Sequence, residues 1–153
     1  CQRVIAFNEK NLNLKIPEKI NLTKEDMEIL DNFKDNYKKL LSDINNQDIN
    51  SYINFIVDNL FASNKYFNDQ EPWKKKDKPL RLNTIIYVSL ELIRKITILL
   101  YPIIPETSLK VLKIFEIDED KISFETIKNN NFLKLGKKIN KLNILFKKIE
   151  KND

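Results

Sequence analysis

The sequence predicts an all-α protein, a helical bundle of four main helices followed by an irregular C-terminal tail. Three observations carry that expectation. Gly occurs once in 153 residues and Pro five times, too few turn formers for a sandwich or a barrel. Hydrophobic residues make up 42% and charged residues 32%, the balance of a folded domain with its own core. Long stretches repeat their apolar residues at spacings of three and four, the period of an amphipathic helix. At this length a single domain, residues 1–153, is expected.

Cys1 to Phe7 reads as the last turns of a helix, and Asn8 to Leu22, polar and broken by Pro17, as a loop of about fifteen residues. Thr23 is an N-cap, with Asp26 placed to complete a capping box. Met27, Leu30, Phe33, Tyr37, Leu40 and Ile44 then form one face of a helix over Lys24–Asp43. After a short connector Asp48 caps a second helix. Its stripe is Ile49, Tyr52, Ile53, Ile56, Val57, Leu60 and Phe61, and it ends near Tyr66, so the two helices should lie antiparallel. A third helix, Arg81 to Tyr101, is apolar on most sides and belongs at the centre of the bundle. Pro105 suits the first turn of a fourth, Glu106 to Phe115. Beyond it, Ser123 to Ile127 allows one helical turn, and Leu142 to Ile149 allows a short amphipathic helix.

Composition removes several function classes. His is absent and the one Cys stands at position 1, which excludes His-based metal sites, Ser-His-Asp triads and a disulfide framework. No catalytic residue and no metal site is expected. Glu91 and Lys95, four apart, read as a surface ion pair, and Asp118-Glu119-Asp120 as a solvated loop rather than a cation site. Lys and Arg outnumber Asp and Glu by 27 to 22, a net charge of +5. That suits an anionic partner without demanding one, and the many Lys, Asn and Ile first suggest an AT-rich genome. The most apolar stretch, Thr84 to Ile104, holds Glu91, Arg94 and Lys95. At roughly 2.5–3.5 kcal/mol per buried charge it reads as a soluble helix and not a membrane span. No signal or transit peptide opens the chain, so a cytoplasmic placement is expected. The lack of an initiator Met suggests a piece of a longer protein.

One segment is unusual in composition. From Ser63 to Lys76 a helix end leads to Pro72, the sole Trp at position 73, and then Lys74, Lys75 and Lys76. In one reading Trp73 folds back and staples the loop to the bundle, its indole N–H finding a carbonyl. In the other, Pro72 sets the backbone and Trp73 offers its face to an unpaired base while nearby Lys meets phosphate. Arg3 is a second candidate, because a guanidinium can bond a base edge bidentately where Lys cannot; it also reads as an ordinary surface residue.

The run Asn64-Lys65-Tyr66, followed by Gln70-Glu71-Pro72-Trp73, resembles the signature of the anticodon-binding domain of methionyl-tRNA synthetases. Lys65 stands where that family commonly has Arg. Cys1-Gln2-Arg3-Val4 resembles the end of the family's Asn-Leu-x-x-Arg helix, and Tyr101-Pro102-Ile103-Ile104-Pro105-Glu106 its Pro-x-x-Pro-Glu break. Leu135-Gly136-Lys137-Lys138-Ile139, with Leu145-Phe146-Lys147-Lys148-Ile149-Glu150, resembles its C-terminal finish, although Lys147-Lys148 replaces the usual Pro-Arg. The resemblance implies the helical bundle of the class I aminoacyl-tRNA synthetase anticodon-binding type, with an extended segment over 141–150 in place of a helix. It implies that Trp73 stacks on the first anticodon base, a cytosine, with Pro72 shaping its loop, and that Arg3 hydrogen-bonds anticodon bases. Asn64 matches the motif either as an RNA contact or as a brace for the Trp loop.

The implied partner is tRNA with a CAU anticodon. Lys65, Lys74, Lys75, Lys76 and Lys78 are the phosphate-contact candidates, a salt-sensitive contribution blind to sequence. No His-x-Gly-His or Lys-Met-Ser-Lys-Ser motif occurs, so the resemblance assigns ATP and Mg to a catalytic domain elsewhere in the parent ligase and no cofactor to these residues. A monomer is expected. Two alternatives stay open: the anticodon-binding domain of another class I synthetase, and a helical protein-interaction scaffold that does not bind RNA.

Overall fold

A computed structural model describes residues 1–143 and residue 145. Among them are six α-helices: α1 Gln2–Leu12, α2 Lys24–Asp35, α3 Tyr37–Asn45, α4 Ile49–Gln70, α5 Pro79–Leu100 and α6 Pro105–Leu112. Short 3-10 segments follow at Pro72–Lys74, Lys113–Phe115, Glu119–Lys121 and Phe124–Lys128. The all-α class expected from the sequence is what the chain adopts. None of the described helices is long and apolar enough to cross a membrane.

The centre is α5. Sixteen of its 22 residues are buried, and α1, α2, α4, α6 and the 124–128 turn all pack on it. Pro79 and Pro105 each occupy the first turn of their helix, where a missing N–H costs nothing. The capping box at the start of α2 is complete, with Asp26 N–H donating to Thr23 Oγ1 and Thr23 N–H to Asp26 Oδ2. Asp48 caps α4 by accepting from Ser51 N–H at 3.1 Å.

Three expectations are corrected. The single helix Lys24–Asp43 is two, broken at Asn36. That side chain donates to the carbonyl and the side-chain oxygen of Asn32, each at 2.9 Å, and such local bonds compete with a continuous helix. The expected face comes apart accordingly: Leu30, Phe33 and Leu40 are buried, whereas Met27 and Ile44 are 39% and 38% exposed. The loop Asn8–Leu22 is shorter than expected, because α1 continues to Leu12. It ends where Asn13 and Leu14 turn left-handed at φ 50° and 55°. Ile16 then pairs with the tail, donating from its N–H to Lys137 carbonyl at 2.8 Å, while Ile139 N–H donates to Leu14 carbonyl at 2.7 Å. Gly136, at φ 76°, turns the tail into this contact with a backbone that suits glycine. The expected extended segment over 141–150 falls largely outside the described residues.

The third correction concerns Glu91 and Lys95. They are not a surface pair: Glu91, Arg94 and Lys95 are all fully buried. Glu91 pairs instead with Arg94, at 2.8 Å, and also accepts from Leu133 N–H at 2.7 Å. The Arg94 guanidinium lies 4.4 Å over the Phe132 ring and donates to the carbonyls of Thr126 and Asn129. Lys95 Nζ donates to the carbonyls of Leu30 and Ile127 and to Asn130 Oδ1. Spacing misleads here because α5 is enclosed along the stretch that carries these charges, so the face that holds Glu91 and Lys95 is not a surface. A buried charge left without partners costs several kcal/mol, and these three are bonded to the irregular segment 126–133 and to α2.

Burial, with Arg94 second, lowers the Lys95 pKa from 10.5 to about 8. Between those values the unfolded chain keeps a proton that the folded chain has released. The Lys95 contribution to stability therefore rises with pH across that window, and its penalty is fully present below pH 8. Lys95→Met removes the donor for two buried acceptors and one part-buried acceptor and should cost about 2–3 kcal/mol at neutral pH. Urea unfolding checks both points: the gap between wild type and variant should widen as pH rises from about 8 to about 10.5.

Candidate nucleic-acid interface

The Trp-bearing segment links the two longest helices. α4 runs four residues beyond the expected Tyr66 and stops at Gln70, where Glu71 turns left-handed at φ 44°. Pro72, Trp73 and Lys74 form one 3-10 turn, closed by Lys74 N–H to Glu71 carbonyl at 2.9 Å and Lys75 N–H to Pro72 carbonyl at 3.1 Å. Pro72 is buried and holds the turn against the bundle. Trp73 is 42% exposed. Its indole N–H donates to no group among the described residues, so the ring is not stapled through a carbonyl.

Trp73 leans instead on Phe67, edge to face, with centroids 6.1 Å apart. The Arg3 guanidinium lies over the same Phe67 ring, 4.9 Å from its centroid, and Phe7 meets that ring edge-on at 6.1 Å. One buried aromatic side chain thus supports both candidates, which are 70 positions apart in the chain. Sequence reasoning passed over Phe67 as one more apolar residue at a helix end. Its signal was available in its place within the motif, one residue after Tyr66 and six before Trp73.

Asn64 is exposed on α4, one turn before Phe67. With Arg3, Ser63 and Phe67 it lines a groove of about 210 Å³ between α1, α4, α5 and α6, floored by apolar residues such as Ile93 and Leu100. Trp73 is not part of that groove. The five lysines divide into two groups. Lys65 pairs with Asp69, and Lys74 with Glu71 at 2.8 Å. Lys75, Lys76 and Lys78 make no ion pair among the described residues. Exposed pairs such as the first two are worth only about 0.2–1 kcal/mol, so a phosphate can compete for either lysine.

The acidic run takes no part in this region. Asp118 pairs with Lys121 at 2.9 Å and Glu119 accepts from the Tyr101 hydroxyl at 2.6 Å. Among the described residues no cluster of three or more carboxylate or thiol side chains is placed to hold a metal ion.

If Phe67 is the shared support, Phe67→Leu should lower stability by about 1–2 kcal/mol, through lost ring area and two aromatic contacts. Because Trp73 is the sole tryptophan, its emission reports the loss directly. Acrylamide quenching should become more efficient in the variant, and an unchanged quenching constant would show that the contact does not hold the indole.

Residues 16–153 match the family model described as the anticodon binding domain of methionyl tRNA ligase. Similar curated proteins include the methionine–tRNA ligase of Nanoarchaeum equitans, 35% identical over 151 residues, which covers 98% of this chain and 18% of that protein. That of Thermotoga maritima is 32% identical over 157 residues, covering 99% and 24%. That of Brucella suis is 29% identical over 128 residues, covering 83% and 25%. The chain spans about a fifth to a quarter of the length of these relatives. Among solved structures, the apo form of Mycobacterium tuberculosis methionyl-tRNA synthetase superposes with a TM-score of 0.88 at 22% identity, over 99% of this chain and 31% of that one. That likeness speaks for the fold.

Proposed function

Because the chain belongs to the family of methionyl tRNA ligase anticodon-binding domains, we propose that it recognises the anticodon stem-loop of tRNA carrying CAU and serves a parent methionine–tRNA ligase. The observation that carries this reading is the half-exposed Trp73 indole, which shares the Phe67 ring with the Arg3 guanidinium. Trp73 is the stacking platform for the first anticodon base, the cytosine, and Pro72 sets its pose. Arg3 bonds base edges, and Asn64, which lines the same groove, joins it or braces the α4 end. Lys75, Lys76 and Lys78, with Lys65 and Lys74 exchanging their carboxylates for phosphate, draw in the RNA backbone. Stacking supplies about 1–3 kcal/mol per base, and the lysines supply affinity that is blind to sequence.

ATP and Mg²⁺ are assigned to the catalytic domain of the proposed parent ligase. The proposed parent acts in the cytoplasm as a monomer. Its catalytic domain is also the proposed cover for the outer face of α4. There Ile49, Ile53, Val57 and Phe61 recur at helical spacing and remain exposed, Phe61 to 71%, although the expected stripe of this helix included all four. Phe61→Ser should leave RNA binding by the bundle intact and slow aminoacylation by the full ligase; equal rates would remove this partner.

Fluorescence titration of Trp73 with an RNA hairpin bearing a CAU loop tests the main reading. Quenching is expected, and it should weaken when the C is replaced. Trp73→Ala, followed by mobility shift, should weaken binding about 5- to 150-fold, the equivalent of one stacked base. Replacing Lys75, Lys76 and Lys78 with Gln should flatten the salt dependence by about 0.7 per lost contact without altering the preference for C. Equal response to every loop would favour a nonspecific basic surface.

A further inference from the structure

The loop 71–78 has two stems, the end of α4 and the start of α5, and a charged cluster that the recognition chemistry leaves unused joins them. Arg81, the third residue of α5, points its fork at Asp26 in the first turn of α2, with Nη1 to Oδ2 at 2.5 Å and Nη2 to Oδ1 at 3.1 Å. The same Nη2 donates to Oε1 of Gln70, the last residue of α4, at 2.6 Å. Gln70 Nε2 in turn donates to Glu25 at 2.9 Å. One turn earlier on α4, the Tyr66 hydroxyl donates to Asp26 Oδ1 at 2.6 Å. The Asp26 side chain is fully buried and that of Arg81 is 21% exposed.

Every donor around this carboxylate comes from a different place: the cap of α2, the end of α4 and the start of α5. Burial by itself would raise the Asp26 pKa, but the bonds from Arg81, Tyr66 and Thr23 outweigh it and hold the group ionised below its usual range. A buried ion pair is weak evidence for net stability. What a bidentate guanidinium fork adds is direction. Within the loop itself the hydrogen bonds are local, each spanning three residues; they shape the 3-10 turn without orienting it on the bundle. Tyr66 and Gln70 also belong to the motif that contains Pro72 and Trp73, and no role in touching RNA falls to either.

We propose that Arg81 and Asp26, with Gln70 and Tyr66, form a stem clamp that positions Trp73. It holds the two ends of the loop together, so that the indole is presented in one pose and discriminates the base it stacks on. The inference rests on the reading of Trp73 as a base platform, and its test separates the two. Arg81→Lys keeps the charge and removes the fork. Gln70→Leu, at a half-buried position, removes the bond between stems and leaves Asp26 paired with Arg81.

Each variant is first measured without RNA, by time-resolved anisotropy of Trp73 and by circular dichroism. Both should show faster local motion of the indole at unchanged helix content. Each is then titrated with the CAU hairpin and with the hairpin whose C is replaced. The preference for CAU should fall about five- to tenfold, the lower part of what one stacked base contributes, with affinity for the substituted loop nearly constant. Arg81→Lys should lose more than Gln70→Leu. A role in stability alone would lower both affinities together and leave the preference unchanged, and that result overturns the clamp, as does unchanged anisotropy. If wild type itself fails to distinguish the two loops, the platform reading falls, and the RNA-free anisotropy alone then decides whether the clamp positions Trp73.

Discussion

The fold depends on how three charges inside α5 are satisfied. A helix enclosed by four others must be apolar nearly all round, yet α5 carries Glu91, Arg94 and Lys95 where water does not reach. Glu91 and Arg94 neutralise one another, and their remaining bonding capacity, with that of Lys95, goes mainly to backbone groups of segment 126–133 and of α2, with the Thr126 and Asn130 side chains beside them. The segment has no long helix of its own to bury. It is held by these bonds and by a few apolar residues such as Ile127 and Leu133. Polar groups at the centre of the bundle therefore organise its least regular part, and the helices around α5 take their places against a rod whose periphery is fixed.

On that rod the proposed recognition region is assembled from distant pieces. Arg3 arrives on α1, Asn64 and Phe67 on α4, and Trp73 on the connection to α5. Phe67 brings Arg3 and Trp73 to one aromatic support. The lysines that follow Trp73 lie on the exposed side of the same connection. In the proposed function the arrangement separates two kinds of chemistry: rigid aromatic and guanidinium groups near the helix ends would read bases, and flexible ammonium groups on the loop would meet phosphate wherever it lies.

Much of this was legible in the sequence, and what was not has physical causes. The position of α5 followed from its apolar surround, the start of α6 from Pro105, and the start of α2 from Thr23 and Asp26, whereas α5 begins at Pro79, two residues before the expected Arg81. The break at Asn36 was hidden because apolar spacing continues across it, while the bond that makes it depends on a side chain folding back on its own helix. The depth of Glu91 and Lys95 was hidden because spacing reports which residues share a face, not whether the face is outside. The Trp segment stood out by composition, but Phe67 and Arg81 did not. Their importance comes from what the fold brings beside them, Arg3 from 64 positions away in one case and Asp26 from 55 in the other.

The bonds from Arg94 and Lys95 to residues 126–133 also bear on how such a chain is made. The ribosome releases α5 well before it releases those carbonyls. Until Thr126, Ile127 and Asn129 emerge, a nascent polypeptide has only Glu91 for the guanidinium and the Leu30 carbonyl for the ammonium, and water must supply the remaining partners. The bundle can gather loosely by then but cannot shut. Completion of the interior thus waits on a stretch translated after α5, and a product terminated before that stretch would be left with its interior open.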